Sequence, residues 1–107
     1  MTQTKRTIFV IDDEPDICEI LRFNLEGAGY QVRTALSAAN ALQQGIAGTD
    51  LILLDIMMPG MDGFALASRL KDNPATASIP IIFLTALDSE EDTIAGFDLG
   101  ADDYIPK

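Results

Sequence analysis

Leu51-Ile52-Leu53-Leu54-Asp55-Ile56-Met57-Met58-Pro59-Gly60-Met61-Asp62-Gly63 decides how the rest of the chain is read. Four apolar residues run without alternation into a carboxylate, and Pro59, Gly60 and Gly63 follow at once. An apolar run of this kind suits a strand buried on both faces, as in a parallel sheet. Asp55 then stands at the C-terminal end of the strand, the edge where open parallel sheets bind ligands. Alone, the pattern also describes a Walker B strand, or an aspartate that only starts a turn.

Outward from that stretch, strand and helix patterns alternate. Thr7-Ile8-Phe9-Val10-Ile11 is β-branched and aromatic and reads as a second buried strand, ending in Asp12-Asp13-Glu14-Pro15. Asp13 is the expected N-cap of a first helix running to about Ala28, with Pro15 in its first turn. Ile17, Ile20, Leu21, Leu25 and Ala28 are its expected buried stripe, with Cys18 beside them as core filler. Gln31–Ala35 alternates and suits a sheet edge. Ser37 is expected to cap a helix over about 38–47, with Ala38, Ala41, Leu42 and Ile46 inward and Gly48 stopping it. A third helix is expected over about 64–72, with Leu66, Ala67 and Leu70 inward. Pro80 opens a strand at Ile81–Leu84, ending in Thr85-Ala86. Ser89-Glu90-Glu91-Asp92 is a capping-box pattern and starts a fourth helix carrying Ile94, Ala95, Phe97 and Leu99. Gly96 weakens that helix and Gly100 closes it. The residues from Ala101 to Ile105 lead into a short fifth strand before Pro106-Lys107.

The alternation argues a parallel sheet with helices on both faces. The polar residues at strand C-termini, namely Asp12, Asp13, Asp55, Thr85 and Lys107, then meet on one edge. Carboxylates crowded there need a cation or a proton. Mg²⁺, which prefers a few carboxylates plus water and a phosphate oxygen, meets that need. A carboxylate can also attack phosphorus and form an aspartyl-phosphate.

The 107 residues, 48% hydrophobic and 22% charged, fit one globular domain. A formal net charge of −10 opposes direct binding to nucleic acid. The single cysteine rules out an internal disulfide and fits a cytoplasmic setting. The apolar run Ile8–Ile11 is too short for a signal segment or a membrane span.

Asp12-Asp13, Asp55, the Met58–Gly63 loop, Thr85-Ala86, and Gly100–Tyr104 with Pro106-Lys107 resemble the receiver domain of two-component response regulators over essentially the whole chain. The resemblance implies a flavodoxin-like, doubly wound α/β fold with a five-stranded parallel sheet in the order 2-1-3-4-5. It implies that Asp55 accepts a phosphoryl group from a sensor histidine kinase. Asp12, Asp13, Asp55 and the Met57 backbone carbonyl would hold Mg²⁺. Thr85 and Lys107 would contact the phosphoryl group, and Thr85 with Tyr104 would form the switch. The expected function is a phosphorylation-dependent signalling switch, a phosphoacceptor and not a turnover enzyme. The fourth strand, fourth helix and fifth strand would relay the change to an output.

Similarity to regulators with a winged-helix DNA-binding output makes that output transcription, and the face of the fourth helix and fifth strand a candidate homodimer surface. Receivers of this type carry a fifth helix that residues 1–107 lack, so the expectation is a C-terminally truncated receiver domain without its output domain. Two phosphate-handling alternatives fit less well. A haloacid-dehalogenase-like phosphatase carries a second aspartate two residues after the first, where this chain has Met57. A P-loop enzyme needs a Gly-Lys pair, and there is none. A degenerate, unphosphorylated receiver is disfavoured because every expected polar residue is present.

Overall fold

The computed structural model describes residues 6–85 and 103–106. Five strands form one parallel sheet: β1 (Thr7–Ile11), β2 (Gln31–Ala35), β3 (Leu51–Asp55), β4 (Ile81–Thr85) and β5 (Asp103–Pro106), in the order β2-β1-β3-β4-β5. β1 pairs with β2 from Thr7↔Gln31 and with β3 from Ile8↔Leu51. β3 pairs with β4 up to Asp55↔Leu84, and β4 with β5 up to Thr85↔Pro106. The expected order is therefore met, with the alternating strand, β2, at one edge.

Successive residues along each strand feed opposite faces of the sheet, which explains runs apolar at every position. Phe9, Ile11, Ile52, Leu54, Ile81 and Phe83 point to one side, against α2 (Ala38–Gln44) and α3 (Gly63–Asp72). Ile8, Val10, Val32, Leu53 and Leu84 point to the other, against α1 (Pro15–Gly27). Leu66, Ala67 and Leu70 of α3 are buried, as their spacing predicts. Burying a leucine of this kind contributes about 1.5–3 kcal/mol.

Three local expectations are corrected. The N-cap of α1 is Glu14, not Asp13, and its side chain makes no capping bond. Ile20 is 57% exposed and Ala28 is an exposed C-cap; of the predicted stripe only Ile17, Leu21 and Leu25 are half-buried, and Cys18 is the residue that α1 buries fully. At about 100° per residue, Ile20 sits well over a quarter-turn from the middle of the row formed by Ile17, Cys18, Leu21 and Leu25. Helix α2 ends at Gln44 because Gly45, at φ 90°, takes the chain out of the helix, so Ile46 reaches the core from a loop. Ser37 does cap α2, its Oγ accepting from the Asn40 N–H at 3.0 Å. The expectations for Gly96, for the fourth helix and for Lys107 lie outside the described residues.

Candidate functional site: an acidic cluster at the C-terminal edge of the sheet

The ends of β1 and β3 lie side by side, because Ile11 pairs with Leu54. The residues that follow, Asp12 and Asp13 after β1 and Asp55 closing β3, bring three carboxylates together. One oxygen from each lies within 4.8 Å of the others. Asp12 is fully buried, Asp55 is 2% exposed, and Asp13 is half-buried at the mouth.

Asp12 is held by its own backbone as well as its side chain. Its N–H donates to the Ala35 carbonyl at 3.1 Å, across to β2. Its Oδ1 accepts the Glu14 N–H at 2.9 Å, closing a turn that leads into α1. The Cys18 thiol, on the first turns of α1, donates to the Asp12 carbonyl at 3.4 Å. Helix entry is thus organised by Asp12, and Asp13 is left to the cluster. The role of Cys18 was not legible in the sequence, where it reads only as a small apolar filler.

Asp55 Oδ1 accepts the Met57 N–H at 3.4 Å. The loop after it, from Ile56 to Asp62, is closed at its base: the Gly63 N–H donates to the Ile56 carbonyl at 2.8 Å. A Cβ on Gly63 would overlap the Asp55 carbonyl, so only glycine lets α3 start this close to the end of β3. Asp62 is spent on α3, its Oδ1 accepting the Ala65 N–H at 2.8 Å. The Asp-Gly pair before an apolar helix is the signal in the sequence that could have found Gly63. Between the loop and α3 lies an open cleft of about 450 Å³, lined by Ile56, Met57, Met58, Pro59, Asp62 and Phe64.

Asp55 pairs with Leu84, so Thr85 stands one residue further along the same edge, while Tyr104 pairs with Phe83. Thr85 closes β4 and Tyr104 lies within β5, each slightly further into its strand than the sequence suggests. Lys107 lies outside the described residues.

Like charges this close need a compensating positive charge. The donors fit a hard divalent cation: all three are carboxylate oxygens, and the chain has no histidine to favour zinc. In an octahedral shell at about 2.1 Å, ligand oxygens lie about 3–4 Å apart, so a grouping within 4.8 Å is compatible with one after small side-chain adjustments. The acidic pocket can therefore bind a metal ion.

Residues 8–107 match the family model of the response regulator receiver domain. The chain belongs to that family. It is a receiver domain of the two-component response regulators, a phosphorylation-dependent signalling domain and not an enzyme of the usual turnover kind. The receiver is 45% identical over 101 residues to a DNA-binding dual master transcriptional regulator, RpaA, from Synechocystis, covering 94% of this chain and 42% of the relative. It is 46% identical over 106 residues to the phosphate regulon transcriptional regulatory protein PhoB from Pseudomonas aeruginosa, covering 95% of this chain and 45% of the relative. The chain thus spans less than half the length of these relatives.

Among solved structures, the receiver superposes on the Vibrio cholerae chemotaxis protein CheY4 with a TM-score of 0.91 at 30% identity, covering 97% of this chain and 88% of that one. A putative response regulator from Chloroflexus aurantiacus gives 0.91 at 40% identity, covering 97% and 86%. The flavodoxin-like fold expected from the sequence is confirmed. Among the described residues, no helix is long and apolar enough to cross a membrane.

Proposed function

We propose that Asp55 is the phosphoryl acceptor and that Asp12 and Asp13, with the Met57 backbone carbonyl, hold Mg²⁺ beside it. The observation that carries this reading is the grouping of the three carboxylates within 4.8 Å at the strand ends. Asp55 closes its strand, and the close approach of Gly63 to its carbonyl fixes the backbone at the acceptor. Asp12 and Asp13 come from a different element and serve the cation. Mg²⁺ supplies charge neutralisation at the phosphoryl oxygens, and the remaining catalysis is positioning. An Asp55 oxygen attacks phosphorus, and the bond from phosphorus to the donor, a histidine nitrogen of a sensor kinase, breaks with its electron pair going to the imidazole. The domain catalyses only its own phosphorylation and dephosphorylation.

Thr85 and Lys107 contact the transferred group in this reading, and Thr85 with Tyr104 relays its arrival. The likeness to RpaA and PhoB, both named as transcriptional regulators, supports transcription as the output; a homodimer through the face of the fourth helix and fifth strand belongs to the same reading. At a net charge of −10 the domain itself avoids nucleic acid, and its setting is the cytoplasm. Incubation with acetyl phosphate and Mg²⁺, followed by peptide mapping, tests the reading. The acyl phosphate falls on Asp55 and labelling stops when Mg²⁺ is chelated; labelling elsewhere, or none, overturns it. On phosphorylation, amide protection at Leu84, Thr85 and Tyr104 changes more than in α1.

A further inference from the structure

The loop after Asp55 carries Met57, Met58 and Met61, and the fold treats them differently. Met58 is 7% exposed and packed in the core; Met61 is half-buried against the same cluster. Met57 is 74% exposed. It lines the cleft beside the acidic cluster, and its N–H is bonded to the Asp55 carboxylate, which keeps it next to the acceptor. Cys18 is 4% exposed, so its thiol is shielded as well.

We propose that Met57 is an oxidation site that couples peroxide-class oxidants to the lifetime of the phosphorylated state. The inference rests on Asp55 being the acceptor. Oxidation is a two-electron step. The thioether sulfur attacks one oxygen of hydrogen peroxide, the O–O bond breaks as the S–O bond forms, and the departing hydroxide takes the proton of the transferred hydroxyl and leaves as water. Reduction by a methionine sulfoxide reductase with a thiol donor reverses it. The thioether is a weak hydrogen-bond acceptor, and among the described residues its cleft is otherwise mostly apolar: Ile56, Met58, Pro59 and Phe64 line it, and the Asp62 carboxylate is engaged with the Ala65 N–H. A sulfoxide replaces that weak acceptor with a strong one at nearly unchanged length. Loss of the phosphoryl group requires a water in line with phosphorus and held by a polar group. Oxidised Met57 provides that group, so the signal decays faster.

The test uses the whole chain. Protein is treated with dilute hydrogen peroxide, mapped by peptide mass spectrometry, then phosphorylated with acetyl phosphate, freed of donor and followed as the acyl phosphate decays. Oxygen is expected on Met57 before Met58 and Met61, with a half-life shortened several-fold and restored by the reductase. A Met57→Leu protein, which lacks the sulfur, should show the same half-life with and without peroxide. Oxidation of Met58 or Met61 as fast as Met57, an unchanged half-life after Met57 is oxidised, or peroxide sensitivity surviving in Met57→Leu overturns the proposal. Failure of the untreated protein to take up phosphate strikes instead at Asp55 as acceptor.

Discussion

The two ends of the sheet use aspartate in opposite ways. At the end where the strands begin, Asp50 is a clamp. Its Oδ2 accepts the Thr7 N–H at 2.8 Å, its N–H donates to the Thr7 carbonyl at 2.9 Å, and Arg6 stands 3.9 Å from its Oδ1. Its side chain is 40% exposed, so water shares the work. At the end where the strands finish, Asp12 and Asp55 are drawn out of water, and Asp13 stands half-buried at the mouth with a carboxylate oxygen close to theirs. The first arrangement ties two strands together and resembles many surface contacts. The second crowds like charges, which a bound cation would offset. Asp50 serves the fold alone, whereas Asp12 serves both fold and site, its Oδ1 and backbone organising the entry to α1 while it stands in the cluster.

Substitutions separate these roles. The largest contrast is between Asp55→Asn, which loses acyl-phosphate formation from a small donor altogether, and Asp50→Asn, which retains it. Equal labelling of the two proteins in a mass-spectrometric assay would end the distinction.

Next in size, Asp12→Asn or Asp13→Asn lowers Mg²⁺ affinity by about ten- to a hundredfold or more, as loss of even a supporting group does at metal sites. The same Asp13→Asn change relieves like-charge repulsion, so without metal it melts higher than the parent. A gain of about 1 kcal/mol corresponds to about 4–8 °C in a domain of this size. In the parent, Mg²⁺ at a hundred times its Kd adds about 2.7 kcal/mol, and the melting order reverses. Melting curves with chelator and with Mg²⁺ check both signs.

A smaller effect sharpens the picture of the loop. Met57→Asn supplies a polar group beside Asp55 and shortens the acyl-phosphate half-life by about three- to tenfold, or about 0.6–1.4 kcal/mol in barrier. An unchanged or longer half-life speaks against position 57 as the place from which a polar group holds the attacking water. The smallest effect belongs to the clamp itself: Asp50→Asn costs about 1 kcal/mol or less in denaturant unfolding, because the pair with Arg6 is exposed and screened.

The central strands were legible because β1, β3 and β4 are apolar at nearly every position and each runs into a polar residue, Asp12, Asp55 or Thr85. The site was legible for the same reason, since Asp12, Asp13 and Asp55 follow directly from strand ends and parallel pairing brings those ends together. The sequence was less informative where two residues could do one job. Either Gly45 or Gly48 could stop α2. The choice follows from tertiary bonds: Arg33 donates to the Gln44 carbonyl at 3.4 Å, and the Gln44 amide donates to the Thr34 carbonyl at 3.0 Å, fixing the helix end against β2. Either Asp12 or Asp13 could organise the entry to α1, and only the register with Ala35 selects Asp12. Ile20 was misplaced because an apolar residue on a helix flank has the same spacing signature as one at its centre.

The strand order also has a consequence for how the chain comes off the ribosome. β1 is made first among the strands, yet it sits between β2 and β3 and is apolar on both sides. Its first partner lies 24 residues downstream, at Gln31, and its second about 43 downstream, near Asp50. At roughly 5–20 residues per second, the second partner trails by a few seconds in translation. During that interval α1 and β2 are the only cover that β1 can find. The nascent chain is then most prone to aggregate before β3 appears, and a pause in translation just after α1 would harm yield more than one after α3.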